Sequence, residues 1–244
     1  MVYAGADVIE TKDEMIGAQS KKELLNKLAN IDISVPHRTA GRETRHVETF
    51  AISYMLATLA EADLLEYPIS LLKSERPDFV LHENNKKITG IEHTEAVSEN
   101  DVRQMMLRHR GYGPKVAFMR NSKPGENRKS TEELKSEIDE NRSDGWYGDS
   151  AEKEWVEAML HFTEKKIFSR KKSGYQNFSE NALLIYDNWH FPCLDVGQAL
   201  EWFSESCVKA GYTETFNDLY ILTKNDLHRI NRQGSKKIKL SQLW

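Results

Sequence analysis

Cysteine is scarce in this chain: Cys193 and Cys207 are the only two among 244 residues. Two thiols cannot build a disulfide framework and their spacing matches no zinc motif, which leaves reduced thiols in a reducing compartment as the expectation. The eight histidines are scattered with no HxxxH pair, so no zinc site is assigned. Long apolar runs are missing as well. No stretch approaches the ~18 residues of a membrane span, and the N-terminal "MVYAGADVIETKDEMIG" has neither the basic start nor the apolar middle of a secretory signal. The expected setting is cytoplasmic, with no membrane partner. A G-x-S-x-G elbow, a P-loop and a G-x-G-x-x-G turn are also absent, and "GYG" at 111–113 is too short to cradle a phosphate.

What is present is a chain with 39% hydrophobic and 30% charged residues, the balance of a well-solvated globular protein. Its length suits one large α/β domain that needs neither disulfide nor structural metal. A formal net charge of -4 argues against indiscriminate coating of nucleic acid, because phosphate neutralisation dominates such binding. The charge is uneven, however. Residues 103–129 carry Glu126 as their only acid, and "EKKIFSRKK" at 164–172 adds a second cationic surface. Arg103, Arg108, Arg110, Lys115 and Lys165 are therefore candidate contacts to a nucleic-acid backbone, with a merely solvated face as the alternative.

Residues 1 to about 18 show no period and read as a loose arm, and 20–31 as a short helix capped by Ser20. Together they make an N-terminal segment of 1–40 ahead of a domain spanning 41–244. The strongest helical signal is "RHVETFAISYMLATLAEADLLE" at 45–66, apolar around most of its circumference and so packed on more than one side. Glu48 shares a face with Ile52, Met55 and Leu59, which aims a carboxylate at packed structure and calls for a partner or a metal; an acid favoured by the first helical turn is the alternative. "DFVLH" and "ITGIEHT" read as a hairpin turning through "ENNKK". Further on, 101–112 reads as helix, "KVAFM" (115–119) as a strand, 131–142 as a polar helix within a mobile insertion at about 120–150, and 151–172 as a long helix. "ALLIYD" (182–187) has the run of a buried strand. After it come a helix at 196–211, a strand at 216–224 and an edge strand at 236–243. The expected fold class is α/β, a central mixed sheet flanked by helices.

With a period of two, Glu92 and Thr94 face one side of their strand while Ile91 and His93 face the other, and Asp78 shares a face with Val80 on the first strand. A carboxylate opening one strand and another midway along its neighbour can converge on a point, the geometry a divalent ion requires. Asp78 as a turn or capping acid and Glu92 as a solvated strand residue are the plainer readings. Glu95 has the wrong parity and would join only through a bulge; His93 is expected to serve packing.

A helix bearing Glu48, then Pro77-Asp78 opening a strand, then Glu92-x-Thr94 on the next, resembles the PD-(D/E)XK, restriction-endonuclease-like superfamily over residues 43–96. The resemblance implies a restriction-endonuclease-like core and a nuclease cutting phosphodiester bonds, with DNA as the favoured substrate and restriction, phage defence or repair as settings. It implies Mg²⁺ (or Mn²⁺) held by Asp78 and Glu92, with Glu48 supporting from the first core helix, and a possible homodimer. Thr94 departs from the family pattern, which has lysine there. Three explanations stay open: a cation arriving from elsewhere, with Lys165 or Lys166 first; Thr94 positioning water itself; or lost catalysis. The last leads to the competing function, a silent relative that binds nucleic acid or a protein partner.

Overall fold

The computed structural model describes residues 14–118, 123–143, 145–172, 175–176, 178–189, 191 and 193–244. Among these, eight strands form one mixed sheet whose spatial order is the chain order. β1 (Glu14–Ala18), β2 (Ile69–Lys73), β3 (Phe79–Glu83) and β4 (Ile88–Ala96) run antiparallel to one another. β5 (Glu180–Asp187) and β6 (Asp218–Leu222) lie parallel to β4, and β7 (Asp226–Asn231) and β8 (Gly234–Lys239) close the sheet as an antiparallel pair. The expected α/β class, a mixed sheet with helices on both faces, is what the chain adopts.

Helices α1 (Lys21–Leu28) and α2 (Thr44–Glu61) cover one face. α1 starts where Ser20 Oγ accepts from the Glu23 amide at 3.3 Å, capping a donor the first turn leaves free. α2 buries Ala51, Ile52, Met55, Leu56 and Leu59 against Phe79, Leu81, Ile91 and Leu184. Its apolar girth follows from sitting between the sheet and α1. α3 (Glu99–His109) and α4 (Thr131–Glu140) form a separate pair. α5 (Ser150–Arg170), α6 (Val196–Lys209) and the single turn α7 (Tyr212–Thr215) cover the opposite face, where Trp155, Met159, Phe162 and Phe203 pack on Leu183, Ile185, Leu219 and Ile221. Each such side chain fully buried is worth ~1.5–3 kcal/mol, so the two faces share one continuous stabilising sheet.

Several expectations change. Residues 14–18 form β1 instead of a loose arm, and Leu24 and Leu28 join the core under α2, so the N-terminal segment from 14 onward belongs to the same unit as the rest. β1 escaped the sequence reading because "EMIGA" does not alternate, and its register with β2 slips between Glu14 and Ile16. Residues 115–118 of "KVAFM" are not a strand; Val116 and Phe118 are exposed, and Met119 lies outside the described residues. Of the segment expected to be mobile, 120–122 and 144 also lie outside them. Within the described part, the Asn127 carbonyl accepts from Asn100 Nδ2, the Lys129 amide donates to Asn100 Oδ1, and Lys129 pairs with Glu137 at 2.8 Å. No helix among the described residues is long and apolar enough to cross a membrane.

Candidate active site

The site forms where two strands part. β3 and β4 pair from His82↔Ile88 to Phe79↔Ile91, and beyond Ile91 the strand β4 continues to Ala96 with a partner on its β5 side only. Its other edge is left with backbone donors that need acceptors. Asp78, the residue before β3, supplies one: its Oδ2 accepts from the His93 amide at 2.6 Å. The same oxygen lies 3.1 Å from Lys166 Nζ, which also donates to Glu92 Oε2 at 2.7 Å. Asp78 and Glu92 are thus brought together, and α5 places the Lys166 ammonium between them.

Gly90 makes that convergence possible. A Cβ there would sit 2.6 Å from Phe178 Cδ2 and 3.0 Å from Pro77 Cγ, so the bare backbone lets the turn carrying Pro77-Asp78 close on β4. The alternation of β4 is as expected. Glu92 and Thr94 register with Leu183 and Ile185, whose side chains enter the α5-side core, while Ile91 and His93 register with Ala182 and Leu184 of the α2-side core.

Charges here are strongly coupled to burial. The Glu92 side chain is 1% exposed, and burial pushes its carboxyl pKa up, against the opposing pull of Lys166. Its Oε1 is buried without a hydrogen-bond partner. Burial alone would lower the Lys166 ammonium, but Asp78 and Glu92 together outweigh it and hold the lysine charged, with its pKa raised. Burial likewise presses His93 down to about 4, so its imidazole is neutral at pH 7.

A cavity of about 510 Å³ opens over this centre, and its walls include Asp78, Thr94, Lys165, Lys166 and Tyr175 from one side of the sheet and Glu48, His93 and Glu95 from the other. Both faces reach one cleft because the missing β3 neighbour leaves the sheet open there. Glu95 therefore reaches the cleft without the bulge that parity demanded: the β4–β5 register is unbroken from Thr89 to Ala96. Glu95 Oε1 accepts from Arg38 at 2.8 Å, Arg42 at 2.5 Å and Asn188 at 2.7 Å. Sequence reasoning missed Arg38, Arg42 and Tyr175; the two arginines lie within a break, "VPHRTAGR", that offered composition but no periodicity.

Glu48 reaches the cleft wall but its Oε2 is taken by Lys73 of β2 at 2.6 Å. Among the described residues no three of His, Cys, Asp and Glu stand close enough together to hold a metal, so the expected three-carboxylate set is not assembled. The pair Asp78 and Glu92 still fits a hard divalent cation: both present oxygens to one point, a cation already sits between them, and Glu92 Oε1 is left over. Such an ion commonly takes one or two carboxylates and keeps waters or phosphate oxygens on its other positions. Thr94 is half-buried beside this point and lines the cavity.

The basic residues proposed for backbone contact divide. Lys165 lines the cleft. Arg103 donates to the Lys129 carbonyl and so braces the α3–α4 pair, and Arg108 has one terminal nitrogen buried without a partner. Arg110 and Lys115 are exposed. Comparison with protein-family models, with curated proteins and with solved structures finds no match for this chain.

Proposed function

We propose that this protein is a metal-dependent nuclease that hydrolyses phosphodiester bonds, with DNA as the substrate. The observation that carries the reading is the position of Lys166, whose ammonium bridges Asp78 and Glu92 at 3.1 and 2.7 Å. A restriction-endonuclease-like centre needs two acids and a cation at one point, and Thr94 alone could not supply the last. Asp78 and Glu92 would hold Mg²⁺ or Mn²⁺, which when bound polarises a phosphate oxygen and acidifies a bound water. Lys166 keeps its proton in this environment, so its role is electrostatic: it donates to phosphate oxygens or orients the attacking water as negative charge develops. Asp78 does two jobs, since the His93 amide donates to and orients the carboxylate that would hold the ion. Lys165, at the cleft wall, guides the strand.

The test is cleavage of plasmid, linear duplex and single-stranded DNA and RNA with Mg²⁺ or Mn²⁺, comparing wild type with Asp78→Ala and Lys166→Ala. Metal-dependent cutting that both substitutions abolish supports the reading; cutting that survives Asp78→Ala removes this site from consideration. A second reading, a silent nuclease-fold protein that binds nucleic acid or a protein partner, draws on one observation: Lys166 already neutralises much of the charge on Asp78 and Glu92, and among the described residues no third acid completes a metal-binding group with them. Calorimetry separates the two, because the silent form need not take up Mn²⁺ at this pair.

A further inference from the structure

A second cavity, of about 260 Å³, adjoins the cleft and shares Arg38 and Arg42 with it. Val35, Pro36, Val97, Val102, Met106 and Trp189 form an apolar wall, and besides the shared arginines His37, Ser98, Asp101 and Asn188 supply polar groups at its lining. The indole of Trp189 is fixed by an edge-on contact with Phe162 at 6.1 Å between ring centres. Met105, half exposed, stands among the lining residues on α3. A small apolar chamber with an aromatic wall and flexible thioethers suits a flat, polarisable ring.

The junction between the two spaces carries charge. Arg38 and Arg42 share the single carboxylate oxygen Glu95 Oε1, so two guanidiniums are held side by side at this junction, with Asp101 as a further acid among the chamber's lining residues. Glu92 and Glu95 lie three residues apart on β4, roughly 10 Å at the rise of an extended strand. Arg38 and Arg42 line the same cleft as Asp78 and Lys166, so a strand bound at the centre would carry a nearby phosphate past them. Guanidinium pairs are well matched to phosphate oxygens.

We propose that this chamber receives a nucleobase drawn out of its stack, with Arg38 and Arg42 holding the phosphate that joins that nucleotide to the one at the cleavage centre. The proposal rests on the nuclease reading and narrows its substrate to strands whose bases leave the stack at low cost: single strands, frayed ends and distorted duplex. Unstacking costs a few kcal/mol in intact duplex and least where pairing is already lost.

The experiment uses full-length Asp78→Asn protein, which retains an oxygen for the His93 amide, and a DNA single strand containing 2-aminopurine, whose fluorescence rises when the base leaves its neighbours. The expected result is a severalfold rise on binding, with a weaker response from the matching duplex. Filling the chamber with Val102→Phe, or at its half-exposed residue with Met105→Trp, is expected to remove the rise and weaken single-strand binding by roughly tenfold, the stacking worth of one base. Thermal unfolding checks that each variant folds, and Met105 is open enough to accept a larger ring. Tight binding with no fluorescence change, or a rise that both filling substitutions leave intact, overturns the chamber while cleavage by wild type keeps the nuclease reading. If wild type cuts no nucleic acid and the Asp78→Asn protein binds none, the nuclease reading fails and takes the chamber with it.

Discussion

Replacing Lys166 with Met keeps the length of the side chain and deletes its charge, so it isolates the ammonium that joins Asp78 to Glu92. In the native protein Nζ lies 2.7 Å from a carboxylate that is 1% exposed and 3.1 Å from one that is 19% exposed. Removing one member of a buried ion pair costs ~3–5 kcal/mol. Asp78 keeps partial access to water and Glu92 can take up a proton, so the lower end applies, ~3 kcal/mol near pH 8. For a domain of this length that is a fall in Tm of roughly 6–12 °C. The loss has a defined pH dependence. Without the lysine, Glu92 has a folded-state pKa still further above its unfolded value. The penalty is complete above the folded pKa and vanishes below the unfolded one, near 4.3. Wild type and Lys166→Met should therefore converge in stability toward pH 4 and diverge as pH rises. Thermal unfolding across that range, followed by circular dichroism, reads both curves. Millimolar Mn²⁺ should raise the Tm of the variant more than that of wild type, because the cation no longer competes with an ammonium for the same oxygens; saturation at a hundred times Kd is worth ~2.7 kcal/mol. Adding Glu92→Gln to Lys166→Met should restore most of the lost stability. A variant as stable as wild type at pH 8, with no pH dependence of the difference, would refute the buried pairing.

Two further outcomes follow from the same geometry. Gly90→Ala forces a methyl group into Phe178 and Pro77 at 2.6 and 3.0 Å, which should cost ~1–3 kcal/mol in urea unfolding and, by displacing Asp78, cut cleavage more than stability loss explains; unchanged cleavage would separate Gly90 from the site. His93 is pressed to about 4 by burial and His228 is also lowered by burial, so the unfolded chain binds more protons than the folded one as pH falls below ~6.5. Stability should drop from there toward pH 4, by up to ~3 kcal/mol for His93 alone, and His93→Phe should flatten the slope, which denaturant titrations at several pH values will show.

Legibility in the sequence tracked the length and exclusivity of each signal. α2, α5 and α6 were readable because their apolar positions repeat over three or more turns, and β5 because "ALLIYD" has no polar interruption. β2 was not read: "ISLLK" is only five residues long and does not alternate between apolar and polar positions. That omission carried into the site. Lys73 ends β2 and takes the carboxylate of Glu48, so a residue that looked unpartnered on its helix face had its partner on a strand the pattern did not reveal. β7, "DLHRIN", hid for a different reason, since Arg229 is held at the sheet by a two-pronged pairing with Asp218 and so reads as loop. "KVAFM" failed in the opposite direction: apolar residues in a row, with Val116 and Phe118 left in solvent. At the site, parity fixed Asp78, Glu92 and Thr94 correctly because alternation is a property of the strand alone. It misjudged Glu95 because the parting of β3 from β4 is a property of two strands, visible only once their pairing is known.

The sheet keeps its strands in chain order from one edge to the other, so it divides cleanly between β4 and β5 into two contiguous halves of sequence. Asp78 and Glu92 belong to the first half and Lys166 rides on the helix that opens the second. A chain opened between α4 and α5, near Gly145 and Gly148, yields two pieces whose sheets have a single seam to re-form. Neither piece holds all of Asp78, Glu92 and Lys166, so the two carboxylates and the ammonium between them meet only on reassembly.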